Sequence, residues 1–184
     1  PDVASWPRRN LVRNALEDGL ALEGRLGVNP FRMGFTGSTD NHDAAAGSTG
    51  EKGWQGGQGN GDASPQRRLT LELRTNPGGL TGVWAEENSR DAIFAALERR
   101  ETFATSGTRS LVRLFAGTLD GVSCAAADLV ARAYATGTAM GGELGDVRGG
   151  ASPRFAVLAV KDPGTPNVPG ADLQRIQIVK GWTD

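Results

Sequence analysis

Apolar side chains recur every three to four residues near the start of the chain, the spacing of one face of a helix. Residues 5–27, SWPRRNLVRNALEDGLALEGRLG, place on that face Val12, Ala15, Leu16, Leu22 and Leu26. Gly19 falls on the same face and lowers helix propensity by about 1 kcal/mol relative to alanine. Pro7 suits the first turn of a helix and Gly27 its C-terminal cap. The pattern therefore predicts an amphipathic helix.

Further helices and strands follow along the next hundred residues. Ser89 is a favoured N-cap residue, and the spacing after it predicts a helix over 90–100 whose buried side carries Ile93, Phe94, Ala96 and Leu97. A shorter helix is predicted near 125–135. Strands are predicted at 32–36, 67–76, 103–105 and 111–116, and the alternative for 67–76 is the start of a helix. This alternation of helix and strand is typical of an α/β domain.

The last third of the chain has a different pattern. Two segments, PRFAVLAVKD and DLQRIQIVKGW, alternate in period two and are separated by the turn-rich DPGTPNVPG. They predict a small antiparallel β portion. We therefore divide the chain into an α/β part, 1–118, and a β-rich part, 119–184, with the boundary between Gly117 and Met140. Residues 46–64 are glycine-dense and without periodicity, which predicts a mobile loop.

Composition narrows the class of protein. Lysine plus arginine, 20, nearly balances aspartate plus glutamate, 21, in 184 residues, so no long-range field would draw the chain onto nucleic acid or an anionic membrane. No apolar run is long enough to span a bilayer. Cys124 is the only cysteine, which excludes an internal disulfide, and its small apolar neighbours predict a buried packing role. The first residue, Pro1, and the missing signal segment indicate a piece of a longer chain.

The candidate chemistry lies in MGFTGSTDNHDAAAG, residues 33–47. It contains the only histidine, His42, two residues after Asp40, on a loop that follows the predicted strand 32–36. On extended chain two such side chains point to the same side. A carboxylate oxygen and an imidazole nitrogen suit zinc, manganese or iron, so Asp40 and His42 are candidate ligands of a divalent metal. The alternative is a hydrogen-bonded loop histidine.

The stretch GSTDNH resembles the late metal-binding motif of the PHP (polymerase and histidinol phosphatase) superfamily. Further blocks, LGVNPFRMGFTGSTDNHDAA, GVWAEENSRDAIFAALERRETFATSGTRSLVRLFAG, MGGEL and LQRIQIVKGW, resemble in the same order a large, poorly characterised bacterial branch of that superfamily, catalogued as a domain of unknown function. The blocks cover about two-thirds of the chain.

The resemblance implies the C-terminal part of a distorted (β/α) barrel that holds two or three divalent metals and hydrolyses phosphoester-type bonds of a small anionic substrate. In that motif Asp40 and His42 match the metal-binding residues. The early His-x-His motif is absent, so the missing N-terminal half of the same protein is the expected partner, and this piece alone is expected to be inactive. Members of the branch often carry export signals, which would make the protein exported or periplasmic; the sequence itself leaves the compartment open.

Two arginines are candidates for binding an anionic substrate. Arg109 lies in the turn SGTRS, and Arg90 lies at the start of a predicted helix. For both, the alternative is a salt bridge to Glu86 or Glu87, which could themselves be ligands or solvated. A metal-dependent hydrolase is the first functional hypothesis, and a non-catalytic binding or structural module of a larger protein is the second. A serine acyl hydrolase is disfavoured, because no Gly-x-Ser-x-Gly elbow is present.

Overall fold

The computed structural model describes residues 11–42, 44, 64, 66, 79–145 and 151–183. The chain divides into two compact units, one of Pro1–Met33 with Arg175–Asp184 and one of Gly34–Gln174. The start of the first predicted helix, the predicted strand 67–76 and the predicted loop 46–64, apart from Ser64, lie outside the described residues. None of the described helices is long and apolar enough to cross a membrane.

The first unit contains the predicted amphipathic helix, α1 (Val12–Leu26). Gly27 ends it in the left-handed conformation, at φ 73°, as predicted for a glycine cap. The chain then turns, and the side-chain oxygen of Asn29 accepts a hydrogen bond of 2.9 Å from the N–H of Phe31. Gly19 is buried under this turn, and a Cβ there would overlap the Asn29 side chain. The glycine in the apolar stripe therefore makes room for the turn.

The predicted strand in DLQRIQIVKGW is wrong. Residues 171–183 form no helix or strand, and no sheet among the described residues includes them. Their apolar side chains are exposed, including those of Ile176 and Ile178. Period-two alternation shows that a segment is suited to a sheet, but a strand forms only where a neighbouring strand completes its hydrogen bonds.

The second unit contains two helices and several short strands. Their order along the described chain is β1 (Thr81–Val83), α2 (Arg90–Glu98), β2 (Thr102–Ala104), β3 (Leu111–Gly117), α3 (Leu129–Thr136), β4 (Gly137–Ala139), β5 (Arg154–Val160), β6 (Gly164–Thr165) and β7 (Val168–Pro169). The predicted helices at 90–100 and 125–135 and the predicted strands at 103–105, 111–116 and in PRFAVLAVKD are confirmed, with shifted ends.

The predicted α/β barrel is wrong. Every strand pair among the described residues is antiparallel: β1 with β2, β3 with both β4 and β5, and β6 with β7. The sheets have two, three and two strands, and within the described chain none closes into a barrel. In a β/α barrel the helix between two strands returns the chain so that the strands run parallel. Here α2 joins β1 to β2 and the strands run in opposite directions.

The apolar core of the second unit lies between the three-stranded sheet and α3. Phe115 is 1% exposed and stands opposite Ala156 on β5 and Ala139 on β4. These small neighbours leave room for its ring, which meets the ring of Tyr134 edge-on at a centroid distance of 4.9 Å. Leu119 and Ala133 complete the buried cluster. The sheet therefore packs its central strand against one face of a two-turn helix.

Helix α2 begins as predicted, but its apolar face is mostly uncovered. The hydroxyl of Ser89 accepts a hydrogen bond of 3.2 Å from the N–H of Ala92, which confirms the N-cap. Ala96 is fully buried, whereas Phe94 and Leu97, which were predicted to be buried, are 61% and 42% exposed. Strands β1 and β2 have three residues each and span roughly 10 Å, so they cover only a narrow stripe of the helix.

The prediction of a buried Cys124 is also wrong, because the thiol is exposed. Residues 123–128 form turns that precede α3 rather than part of that helix. The small apolar residues next to Cys124 are mostly exposed as well, so they provide no surface against which the thiol could pack. A run of alanines therefore did not indicate burial at this position.

A cluster of polar and aromatic side chains links the β1–β2 pair to α3. Glu101 is buried; one carboxylate oxygen accepts the hydroxyl proton of Tyr134, and the other lies 3.5 Å from a guanidinium nitrogen of Arg99. The guanidinium of Arg113 donates to the same hydroxyl over 3.3 Å and stacks 3.6 Å above the ring of Trp84. The buried carboxylate therefore has a hydrogen-bond donor on one oxygen and a cation near the other, which offset the cost of burying its charge.

Tyr134 provides a test of this cluster, since it is the only tyrosine. Burial, the hydrogen bond to Glu101 and the charge of Glu101 raise the pKa of Tyr134 to about 12, against the opposing charges of Arg113 and Arg99. The stability that the tyrosine contributes is thus complete below pH 10 and is lost as the pH rises through about 12. We expect Glu101→Gln to lower this pKa, as measured by phenolate absorbance during a pH titration.

The matched control is Glu98→Gln, at the exposed end of α2, which should leave the Tyr134 pKa where it is in the unaltered protein. A titration midpoint near 10 in the unaltered folded protein would contradict the arrangement, since 10 is the ordinary value of a tyrosine. A Glu101→Gln variant in which Tyr134 titrates as in the unaltered protein would also contradict the arrangement. Circular dichroism at each pH shows whether the chain is still folded.

Candidate functional site

The two predicted metal ligands lie on one loop, residues 37–42, which we call the GSTDNH loop. At its base, the hydroxyl of Thr81 accepts a hydrogen bond of 3.1 Å from the N–H of Gly37 and donates one of 2.7 Å to the Gly37 carbonyl. Thr81 is the first residue of β1. One side chain thus satisfies both backbone polar groups of Gly37, as a neighbouring strand would do.

The predicted strand 32–36, just before the loop, is wrong. These residues form no regular element, although residues 34–36, which belong to the second unit, contact the β1–β2 pair. The carbonyl of Phe35 accepts a hydrogen bond of 2.8 Å from the hydroxyl of Thr102, a buried residue at the start of β2. The backbone here is therefore held by threonine side chains, one from each strand, instead of by a ladder of backbone hydrogen bonds.

Glycines permit a close approach of the loop to the end of the strand pair. A Cβ on Gly37 would lie 2.7 Å from the carbonyl oxygen of Leu80 and 3.0 Å from that of Thr105. Gly79 is buried, and a Cβ there would overlap the carbonyl of Ser38. Both positions consequently require glycine for reasons of space.

Hydroxyl groups also set the local shape of the loop. The side chain of Ser38 accepts a hydrogen bond of 3.4 Å from the N–H of Asp40, and that of Thr39 accepts one of 3.2 Å from the N–H of Asn41. Such turns are typical of serine and threonine. Asp40 has φ 58°, a left-handed conformation that aspartate tolerates. The extended chain assumed for Asp40 and His42 is therefore interrupted at Asp40, and both residues are exposed.

Arg109 lies on a second loop that leaves the same end of the strand pair. Thr105, whose N–H donates to the Leu80 carbonyl over 2.9 Å, packs against Gly37 and is followed directly by the SGTR turn, residues 106–109. The N–H of Arg109 donates to a carboxylate oxygen of Asp162 over 2.6 Å. The structure thus brings the GSTDNH loop and the SGTR turn together at their bases.

The carboxylate of Asp162 holds the SGTR turn, a role that was not predicted from the sequence. It is buried and accepts N–H groups from Arg109 and Gly164. These two hydrogen bonds hold the pKa of Asp162 below its usual value, against the effect of burial, and the charge of Arg109 adds to the lowering. An Asp-Pro-Gly sequence indicates a turn, but nothing in it identifies a partner 53 residues away.

Arg90, the other predicted anion-binding residue, is the first residue of α2 and is exposed. Glu86 and Glu87 are exposed on the connection between β1 and α2. The contact of Thr105 with Gly37 associates the turn of Arg109 with the loop that carries Asp40 and His42.

The donors of the GSTDNH loop fit one divalent ion better than a multinuclear centre. One carboxylate and one imidazole are suitable ligands for zinc, manganese or iron. Within the described ranges no group of three or more histidine, cysteine, aspartate or glutamate side chains is assembled for a metal. The chain has a single histidine, so it cannot supply the several imidazoles of a multinuclear site.

By fold and candidate site, this is a mixed α and β protein with small antiparallel sheets and a polar loop bearing a carboxylate and an imidazole. A family model described as protein of unknown function (DUF3604) matches residues 2–184, so the chain belongs to that family. No curated protein and no solved structure matches the chain.

The close approach at the base of the loop predicts the effect of one substitution. We expect Gly79→Ala to destabilise the protein by about 1–3 kcal/mol, because the new methyl group must displace the Ser38 carbonyl. The control is Gly145→Ala, where nothing lies within 4 Å of the added Cβ. Urea denaturation of the two variants measures the difference, and equal stabilities would contradict the packing described here.

Proposed function

We propose that this chain is part of a metal-dependent hydrolase that acts on phosphoester-type substrates through a metal-activated water. One observation carries the proposal: the GSTDNH loop, with Asp40 and His42, and the SGTR turn, with Arg109, leave the same end of the β1–β2 pair and meet where Gly37 packs against Thr105. A pair of metal-ligand side chains and a cationic side chain are thereby supplied by adjoining loops.

Each residue has a distinct role in this proposal. The Asp40 carboxylate and the His42 imidazole hold one divalent cation, which is zinc, manganese or iron. Such an ion, when bound, lowers the pKa of a coordinated water and offsets charge on the transferred group. The Arg109 guanidinium binds the anionic oxygens of a small substrate, for which its planar array of donors is suited.

Metal binding by the 184-residue chain is the direct test. We expect isothermal titration with zinc or manganese chloride to show binding that is weakened at least about tenfold by His42→Ala and by Asp40→Asn, because each removes a direct ligand. The control is Asp120→Asn, which removes an exposed carboxylate that is hydrogen-bonded to Thr118 and should leave the affinity unchanged.

The proposal fails if the unaltered chain binds neither ion, or if His42→Ala binds as tightly as the unaltered chain. Either result would favour the alternative, a non-catalytic binding or structural module of a larger protein. For hydrolysis, we expect the 184-residue chain alone to show weak or no turnover of a chromogenic phosphodiester with added zinc or manganese. Ready turnover would contradict that expectation, and its loss in His42→Ala would assign the activity to this loop.

A further inference from the structure

The hydroxyl of Thr81 occupies an unusual position relative to the candidate ligands. It is joined to both backbone polar groups of Gly37, a residue 44 positions earlier in the sequence and three positions before Asp40. A hydroxyl can donate one hydrogen bond and accept others at the same time, which is what this contact requires. Valine has the same shape but can do neither.

The Thr81 contact fixes the chain three residues before the first candidate ligand, Asp40. Upstream, the Thr102 hydroxyl holds the Phe35 carbonyl, two residues before Gly37. Downstream of Gly37, the hydrogen bonds of the Ser38 and Thr39 hydroxyls reach only two residues ahead, within the loop itself. Those turns define the shape of the loop, whereas the Thr81 contact connects that shape to β1.

We propose that Thr81 is a positioning residue that holds the GSTDNH loop in the conformation in which Asp40 and His42 bind a common cation. This inference rests on the proposed function and identifies a residue outside the motif on which the site depends. The side chain of Thr81 acts through Gly37 and does not itself contact the cation. If its loss leaves about one-tenth of the loops in the binding conformation, the apparent metal affinity falls about tenfold.

His42 makes this inference measurable without a metal, because the only histidine gives a single imidazole Cε1–H resonance in an NMR spectrum. We expect Thr81→Val to shift or broaden this resonance in metal-free protein, since the loop then samples other conformations. Thr81→Ser keeps the hydroxyl and should restore the resonance. The matched control is Thr138→Val, at a half-buried threonine of β4 in another antiparallel pair, which should have no effect.

Zinc titration followed on the same resonance completes the test. The expected result is an affinity about tenfold lower for Thr81→Val than for the unaltered chain, with normal affinity in Thr81→Ser and Thr138→Val and closely similar melting temperatures for all four proteins. An unchanged metal-free resonance and an unchanged affinity in Thr81→Val would overturn the inference while leaving the proposed function intact.

A different result would identify failure of the proposed function instead. If the His42 resonance of the unaltered chain does not respond to zinc, the metal site is wrong and the positioning role of Thr81 falls with it, whatever Thr81→Val does to the metal-free spectrum. If Thr81→Val lowers the melting temperature and Thr81→Ser fails to restore the affinity, the threonine is a structural residue only, and the inference is overturned.

Discussion

The hydrogen bonds between the Thr81 hydroxyl and the backbone of Gly37 are the contact on which the candidate site depends. Among the described residues, no strand pairs with the segment just before the loop, so side chains satisfy its backbone polar groups there instead. Thr81 and Thr102 do this from neighbouring strands, and glycines at positions 37 and 79 let the chain come close enough. A polar loop is thereby held against a very small sheet without becoming part of it.

The fold could be predicted only in part from the sequence. The helices α1 and α2 were recognisable because their apolar spacing and their caps, Gly27 and Ser89, are local in sequence. Strand β3 was recognisable because the apolar pattern that predicts it is also local in sequence. Strand direction is not local: alternating helices and strands suggested parallel pairing, whereas β1 and β2 are antiparallel across α2. The alternation in the segment 171–183 likewise could not show whether a partner strand exists.

The candidate site was predictable to a similar extent. Asp40 and His42 were identified from residue type and spacing, and the SGTR turn was identified from its composition. The left-handed conformation of Asp40 was not foreseen, because the sequence pattern was interpreted as extended chain. The contact of Thr81 with Gly37 was not foreseen either. A threonine in a strand indicates only β propensity and carries no sign of a partner 44 residues away. Side-chain to backbone contacts over such separations leave no periodic signal.

The most direct test of the account is a crystal structure of the chain grown with zinc, with the ion located by its anomalous scattering. We expect an ion about 2.0–2.2 Å from both a carboxylate oxygen of Asp40 and a ring nitrogen of His42, with the Thr81 hydroxyl still bonded to Gly37. Zinc bound elsewhere, or Asp40 and His42 directed away from each other beside an intact Thr81 contact, would contradict it.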